Sequence, residues 1–206
     1  MGAVVLVLGE SGAGKSTSLC NFDKDEMELL NVLGKKMPFR SELQSIDNCR
    51  YNQILQAFQS NKRHCYVVDD ANYLMQLENF RKAEEKGYDK FTRMAVNFEK
   101  MLEAAMATDD ETIVYILMHP QLDDAGNMKP KTIGKMLDNQ LTIEGLVSMT
   151  LVAFGDEQGY HFRTNDPLGI AKSPMGMFES EVIDNDLKAV DTTAREYWGM
   201  KPLGAK

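Results

Sequence analysis

The sequence predicts a single α/β domain in which helices cover both faces of a mainly parallel sheet. Three short apolar runs, at residues 3–8, 65–68 and 112–118, are typical of strands that are buried on both faces. Segments with helical spacing of apolar residues lie between them, at residues 48–59 and 89–107. Strands that alternate with helices favour βαβ units and a parallel sheet. The length of 206 residues suits one domain, residues 1–206.

The remaining elements are predicted from weaker patterns. In the first half of the chain these patterns predict the start of a helix, a strand and a second helix, at residues 15–21, 31–33 and 71–77. Residues 121–139 are polar and contain glycine and proline, which predicts a long loop. Residues 148–154 and 160–164 are predicted to pair as a C-terminal β-hairpin, and residues 185–197 to form a terminal helix.

Composition narrows the class of protein. Apolar residues make up 43% of the chain and charged residues 26%, which suits a folded domain with a core. No stretch approaches the roughly 18 apolar residues of a membrane helix, and no basic segment precedes the first strand. We therefore expect neither a membrane span nor a signal peptide. Cys20, Cys49 and Cys65 are odd in number and scattered, which predicts reduced thiols in the cytoplasm.

The net charge of −8 bears on nucleic-acid binding. A field of that sign repels DNA over the whole molecule, so any contact with DNA must come from a local basic patch. No spacing of cysteine and histidine in the chain suggests zinc.

Residues 9–16 read G-E-S-G-A-G-K-S and match the phosphate-binding pattern G-x-x-x-x-G-K-[ST] without a mismatch. Glycines let the backbone wrap around a phosphate with its N–H groups pointing inward, and the start of a helix adds positive charge. In such a P-loop, Lys15 reaches the β- and γ-phosphates, Ser16 ligates Mg²⁺ and Thr17 hydrogen-bonds the α-phosphate. The predicted nucleotide-binding residues are Gly9, Glu10, Ser11, Gly12, Ala13, Gly14, Lys15, Ser16 and Thr17.

A second acidic position is expected at the end of another buried strand, where a carboxylate orients the metal. Asp69 follows the strand at residues 65–68 and is the predicted partner of Ser16 in the metal site. Asp70 is either the catalytic base that polarises the attacking water or the N-cap of the next helix. Glu42 is a reserve candidate for the catalytic carboxylate.

The third buried strand ends at His119, which is predicted to sense the γ-phosphate, with Gln121 as an alternative. The subclass follows partly from missing motifs: N-K-x-D would indicate a GTPase and L-S-G-G-Q a transporter ATPase. A kinase for a nucleoside or another small molecule remains an alternative because the length fits. Such kinases usually carry an arginine-rich lid, whereas no two arginines are adjacent in this chain.

The P-loop segment and several later segments follow one pattern, which comprises residues 7–19, 31–40, 67–70, 131–135 and 162–165. Together they resemble phage-encoded RecA-like P-loop ATPases, a family of nucleotide-binding and single-strand annealing recombination proteins. The resemblance implies a three-layer α/β/α fold with a RecA-like core, ATP and Mg²⁺ as ligands, and a phage or prophage protein in the cytoplasm of a bacterial host.

The resemblance also implies partners. RecA-type proteins assemble so that each ATP lies at a subunit boundary, and Arg163 and Lys172 are the residues expected to reach a neighbour's γ-phosphate. Lys129, Lys131 and Lys135 are expected to contact the phosphates of single-stranded DNA. The loop that carries them, residues 123–135, departs from this expectation because it contains two aspartates and no aromatic residue.

The first functional hypothesis is an oligomeric, Mg²⁺-dependent ATPase that acts on single-stranded DNA in phage recombination. The second is the kinase, and the third is a nucleotide-dependent switch with negligible turnover. The acidic surface also leaves room for a protein partner such as a phage single-strand-binding protein.

Overall fold

The computed structural model describes residues 1–134, 137 and 141–204 of the chain. Within these residues, eight strands form one mainly parallel sheet and two more form a separate hairpin, so the fold is α/β and compatible with three layers. The strands are β1 (Ala3–Leu8), β2 (Glu28–Asn31), β3 (Ser45–Asp47), β4 (Cys65–Asp69), β5 (Ile113–Met118), β6 (Pro120–Leu122), β7 (Met128–Pro130), β8 (Met149–Asp156), β9 (Gly159–Arg163) and β10 (Val182–Asp184). The α-helices are α1 (Tyr51–Ser60), α2 (Asn72–Arg81), α3 (Asp89–Met106), α4 (Ile143–Leu146) and α5 (Leu187–Trp198).

The order of strands in the main sheet is β10-β9-β8-β1-β5-β4-β2-β3. The strands from β8 to β3 in this order run parallel. At one edge, β9 pairs antiparallel with β8, and β10 pairs antiparallel with β9. This confirms the predicted parallel sheet and the hairpin of β8 and β9. Leu8 lies opposite Met118 on β5 and Val152 on β8, so the carboxyl ends of these strands meet at one edge.

The core lies on both faces of the sheet. Val4, Leu6 and Leu8 of β1 belong to the cluster that packs against α1, α2 and α3. Val5 and Val7 belong to the opposite cluster, which includes the apolar face of α5. Because successive side chains of a strand point to opposite faces, a strand between two helical layers is apolar at every position. The continuous apolar runs in the sequence therefore mark the central strands correctly.

A buried ion pair fastens α5 to the sheet. Asp191 and Arg195 are 1% and 2% exposed, and the Arg195 guanidinium donates to the Asp191 carboxylate. Arg195 also donates to the main-chain oxygen atoms of His64, at 2.6 Å, and Glu111, at 2.9 Å. The Tyr115 hydroxyl on β5 donates to Asp191 at 3.0 Å. One guanidinium thus links the helix to the segments that precede β4 and β5.

The helix predicted to begin at residues 15–21 is wrong. The P-loop is followed by a single 3₁₀ turn, Thr17–Leu19. Leu19 and Phe22 are buried in the α5-side cluster, and the chain then reverses through a turn in which the Asp23 amide donates to Glu26. The reversal leads directly into β2, so no length remains for a full helix.

Two other predictions differ from the structure. The strand expected at residues 31–33 is β2, which ends at Asn31. Its two leucines lie between Glu28 and Asn31, and these polar residues interrupt the apolar run. The stretch expected to be a loop at residues 121–139 contains most of the β6–β7 hairpin. Residues 135, 136, 138 and 139 of that stretch lie outside the described residues. Among the described helices, none combines the length and apolar character needed to cross a lipid bilayer.

Candidate functional site

The carboxyl ends of β1, β4 and β5 bring the predicted site residues to one edge of the sheet. The P-loop follows β1, Asp70 follows β4 and His119 follows β5. From β1 the chain continues to strands on the β5 side, whereas β8 pairs with the other side of β1. A crevice forms at such a reversal in open α/β sheets. Here a cavity of about 300 Å³ is lined by the P-loop, the turn after β2 and the ends of β4 and β5.

The P-loop backbone depends on glycine. Gly12 and Gly14 have φ angles of +82° and +90°, a region that other residues adopt only with strain. A Cβ atom on Gly14 would also lie 2.9 Å from both the Tyr160 ring and the Asn185 side chain. The loop is therefore fitted closely against the start of β9. Ser11 and Thr17 line the cavity, as predicted for nucleotide-binding residues, while the backbone of Ala13 donates to the Glu10 carbonyl at 3.1 Å.

Lys15 points back into the loop. Its side chain is buried, with the residue only 6% exposed, and the ammonium donates to the Gly9 oxygen at 2.6 Å and the Glu10 oxygen at 3.0 Å. Burial lowers the pKa of Lys15, while the nearby carboxylates of Asp70 and Asp69 oppose that effect. The ammonium is thus held where a phosphate enclosed by the loop would meet it.

The two predicted metal ligands are in contact although they lie 53 positions apart in the chain. The Ser16 hydroxyl donates to the Asp69 carboxylate at 3.0 and 3.1 Å. Mg²⁺ typically takes one or two protein oxygens and completes its shell with phosphates and water. Within the described residues there is no cluster of three or more acidic, histidine or cysteine side chains that could hold a metal. The oxygen atoms of Ser16 and Asp69 would fit a magnesium ion if a nucleotide supplied further ligands.

Asp69 is buried, with only 3% of its surface exposed, and burial raises the pKa of its carboxyl group to about 6. The folded state therefore holds this proton more tightly than the unfolded chain. The stabilising contribution of the proton is complete below about pH 4 and is lost as the pH rises through about 6.

Asp69→Asn is accordingly expected to stabilise the nucleotide-free protein at pH 8 by up to about 3 kcal/mol, since the buried charge is removed. The advantage should shrink towards pH 4, where the wild-type carboxyl is protonated. Urea unfolding at several pH values measures both variants. A stability difference that does not change between pH 4 and 8 would contradict this origin of the effect.

Asp70 has an unusual backbone conformation, and its carboxylate lies close to the side chains of Lys35 and His119. Its φ of +60° is uncommon for a residue other than glycine, and such strain clusters at functional sites. Its carboxylate accepts from the Lys35 ammonium at 2.8 Å and lies 3.4 Å from Nε2 of His119. Burial alone would raise the pKa of Asp70, but the hydrogen bonds from His119 and Lys35 outweigh it and lower the pKa. The carboxylate is thus kept ionised.

The alternative role of Asp70 as a helix N-cap is wrong. The N-cap of α2 is Ala71, and no side chain in the described part of the chain caps this helix. The Asp70 carboxylate faces the cavity instead. The role of Asp70 as the catalytic base is compatible with this geometry and stays a prediction.

His119 lies where the sensor was expected. It lines the cavity, and its ring packs edge-to-face against Tyr73 at 5.9 Å between centroids. Its backbone amide donates to Oδ1 of the buried Asn72 at 3.1 Å, which fixes the end of β5 against α2. Gln121 lines a different groove, and Glu42 is exposed and does not line the cavity. Asp70 and His119 therefore remain the catalytic candidates that the fold brings to the P-loop.

The structure adds residues that sequence reasoning assigned no role. Lys35, Lys36 and Tyr160 line the cavity, and Lys35 also lies 5.4 Å from the centre of the Tyr73 ring. The signal for the lysines is their place directly after a glycine turn that follows a parallel strand, because such strand ends gather at one edge. That inference requires the correct bounds of β2, whereas the sequence predicts a strand at residues 31–33 instead of 28–31.

The other predicted basic residues lie elsewhere. Among the described residues, those predicted to bind DNA or a neighbour's phosphate do not line the cavity: Lys129, Lys131, Arg163 and Lys172. Lys135 lies outside the described residues. The Arg163 guanidinium lies over the Phe154 ring of its own chain at 5.6 Å.

A larger groove of about 1130 Å³ separates the β6–β7 hairpin from residues 165–172. Lys129 and Lys172 line it. Four carboxylates line it as well, and they are Asp123, Asp124, Glu144 and Asp166. The groove therefore does not form the basic patch that the DNA hypothesis needs.

In comparisons with known proteins, neither a protein-family model nor a curated protein matches the chain significantly. The function is therefore inferred from the geometry of the P-loop cavity and the charges that line it.

Proposed function

We propose that the chain is a Mg²⁺-dependent ATPase whose P-loop holds the triphosphate. The observation that carries this proposal is the contact between Ser16 and Asp69, from distant parts of the chain, beside the buried ammonium of Lys15. The pattern of residues 9–16 fits this role at each position. A chance glycine-rich turn gives no reason for an acidic strand end to meet the serine that follows the lysine.

Electrostatics favour a polyphosphate in this cavity. Three lysines line it, Lys15, Lys35 and Lys36, against the two carboxylates of Asp69 and Asp70, although the protein as a whole carries a net charge of −8. The Lys15 ammonium, now bound to carbonyl oxygens, would exchange them for β- and γ-phosphate oxygens. Mg²⁺ held by Ser16 and Asp69 would neutralise charge on the same phosphates.

Hydrolysis requires a water placed in line with the γ-phosphate. Asp70 is proposed to orient that water and His119 to hydrogen-bond the transferred phosphoryl group. The water oxygen bonds to phosphorus as the bond to the β–γ bridging oxygen breaks. ADP leaves, and the proton of the water passes to the released phosphate. The lowered pKa of Asp70 keeps its carboxylate ionised, and an ionised carboxylate can orient water by accepting a hydrogen bond from it.

The finer part of the proposal follows the family resemblance. The strand order β8-β1-β5-β4-β2 is compatible with a RecA-like core. Action on single-stranded DNA, assembly into an oligomer with Arg163 or Lys172 reaching a neighbouring site, and a location in the bacterial cytoplasm are proposals of the same kind. A phage single-strand-binding protein is a proposed partner. Because carboxylates share the groove with Lys129, we expect DNA binding to be weak and sensitive to salt.

Phosphate release from Mg²⁺-ATP, with and without single-stranded DNA over a range of protein concentrations, tests the proposal. We expect turnover that requires Mg²⁺ and rises with DNA and with protein concentration. Turnover indifferent to DNA and protein concentration would remove the recombination role but keep the ATPase. Phosphate transfer to an added small acceptor, without release into solution, would identify a kinase instead.

A further inference from the structure

Among the described cavity residues to which the sequence assigned no role, Lys35 contacts the carboxylate of Asp70, which follows β4. Its ammonium lies 2.8 Å from the Asp70 carboxylate, and its side chain is 58% exposed. An ion pair with one exposed partner contributes little to stability, so stability alone gives no reason for the lysine to be held there.

The backbone that presents Lys35 is held by hydrogen bonds from the buried side chain of Asn31. The side-chain amide of Asn31, which is buried at the end of β2, donates to the Lys35 carbonyl at 2.8 Å. The same amide donates to the Asp47 carboxylate at 3.1 Å, at the end of the neighbouring strand β3. The turn is therefore anchored to two strands, and only the side chain of Lys35 has to move to change partner.

The position of Lys35 relative to the P-loop indicates which phosphate it can reach. In a P-loop site the α-phosphate lies near the residue after the metal-binding serine, here Thr17. The γ-phosphate lies beyond Lys15, towards the acidic strand end, where Asp70 is found. Burial lowers the pKa of Lys15, and the charges of nearby groups also act on it, including that of Lys35. Lys15 and Lys35 also line the same cavity of about 300 Å³, so both can contact one bound polyphosphate.

We propose that Lys35 binds the γ-phosphate of a bound nucleoside triphosphate, leaving Asp70 for a phosphate oxygen, and thereby makes the site select triphosphates over diphosphates. This inference rests on the proposed function, because it requires a nucleotide in the P-loop. A terminal phosphate offers more negative charge and more acceptor oxygens than one carboxylate, which favours the exchange. The exchange also releases Asp70 to orient water, so water is positioned only when a γ-phosphate is present.

The affinities of a non-hydrolysable ATP analogue and of ADP test this inference. Lys35→Met keeps the length of the side chain and removes its charge. It should weaken binding of the analogue about tenfold to a hundredfold, the effect of one lost hydrogen bond to a charged group, and leave ADP within about twofold. Lys35→Arg should restore most of the loss. Lys100→Met, which removes an exposed lysine from α3, is the matched control and should change neither affinity.

A double variant separates phosphate binding from simple neutralisation of Asp70. If Lys35 only compensated the Asp70 charge, Asp70→Asn combined with Lys35→Met would regain the affinity for the analogue. We expect Lys35→Met to weaken analogue binding in the Asp70→Asn background as well, and equal affinities of Asp70→Asn and the double variant would overturn the inference. A Lys35→Met protein with the wild-type preference for triphosphate, or a wild type without such a preference, would overturn it as well. A wild type that binds neither nucleotide would instead refute the proposed function.

Discussion

Lys15→Ala is expected to lower kcat for ATP hydrolysis by about a thousandfold, since charge that develops on the phosphates loses its nearest protein cation. The ammonium is buried in the P-loop and bound to two carbonyl oxygens of that loop. Lys15 itself lines the cavity, so water can occupy the space of the removed ammonium and donate to these oxygen atoms. The variant should therefore still fold. Assays of phosphate release at fixed times can measure the loss of turnover directly.

Circular dichroism and urea unfolding of Lys15→Ala provide the control for folding. Because burial lowers the pKa of Lys15, removal of the ammonium relieves a desolvation cost, and stability should not fall. A folded variant with near-normal turnover would contradict the mechanism, since no other described residue occupies the position of Lys15 in the loop.

Asp191→Ala is expected to reduce the free energy of unfolding by about 3–5 kcal/mol, because it leaves a buried guanidinium without its carboxylate. Arg195 is 2% exposed, and the Tyr115 hydroxyl loses its acceptor in the same variant. Urea unfolding measures the change. Thr192→Ala, at the exposed next position of α5, is the matched control and should fall within about 0.5 kcal/mol of the wild type.

The ion pair itself need not be what stabilises the protein. Replacing both partners with apolar side chains of similar volume, as in Asp191→Leu with Arg195→Met, should cost much less than Asp191→Ala. If Asp191→Ala and Thr192→Ala have equal effects, the network does not fasten α5 to the sheet as described.

The central strands could be predicted from the sequence because both of their faces are buried. In β1, β4 and β5 every position is apolar or sits at a strand end, so periodicity was not needed. The edge strands β3 and β10 are three residues long and partly exposed, and they carry no comparable signal. The helix after the P-loop is expected from the motif alone. In the structure the chain turns towards the core at the buried Phe22, and only a 3₁₀ turn forms.

The candidate site was predictable where one residue follows from the motif or from a strand end. Ser16 and Asp69 were found in this way, and their contact agrees with the prediction. Lys35 was not found, because its role depends on which strand ends lie next to each other rather than on its neighbours in the chain. The groove beside Lys129 shows the opposite error. Lysines close together in the sequence predict a basic surface, but the fold places carboxylates from other segments beside Lys129.

Calorimetric titration of the wild type and of Lys15→Ala with a non-hydrolysable ATP analogue tests the central claim most directly. With Mg²⁺ present, we expect one analogue to bind per wild-type chain, more tightly than without Mg²⁺. Binding should be lost in Lys15→Ala, because the ammonium in the P-loop holds the phosphates. The absence of binding to the wild type, or equal binding to both proteins, would contradict a nucleotide site at residues 9–17.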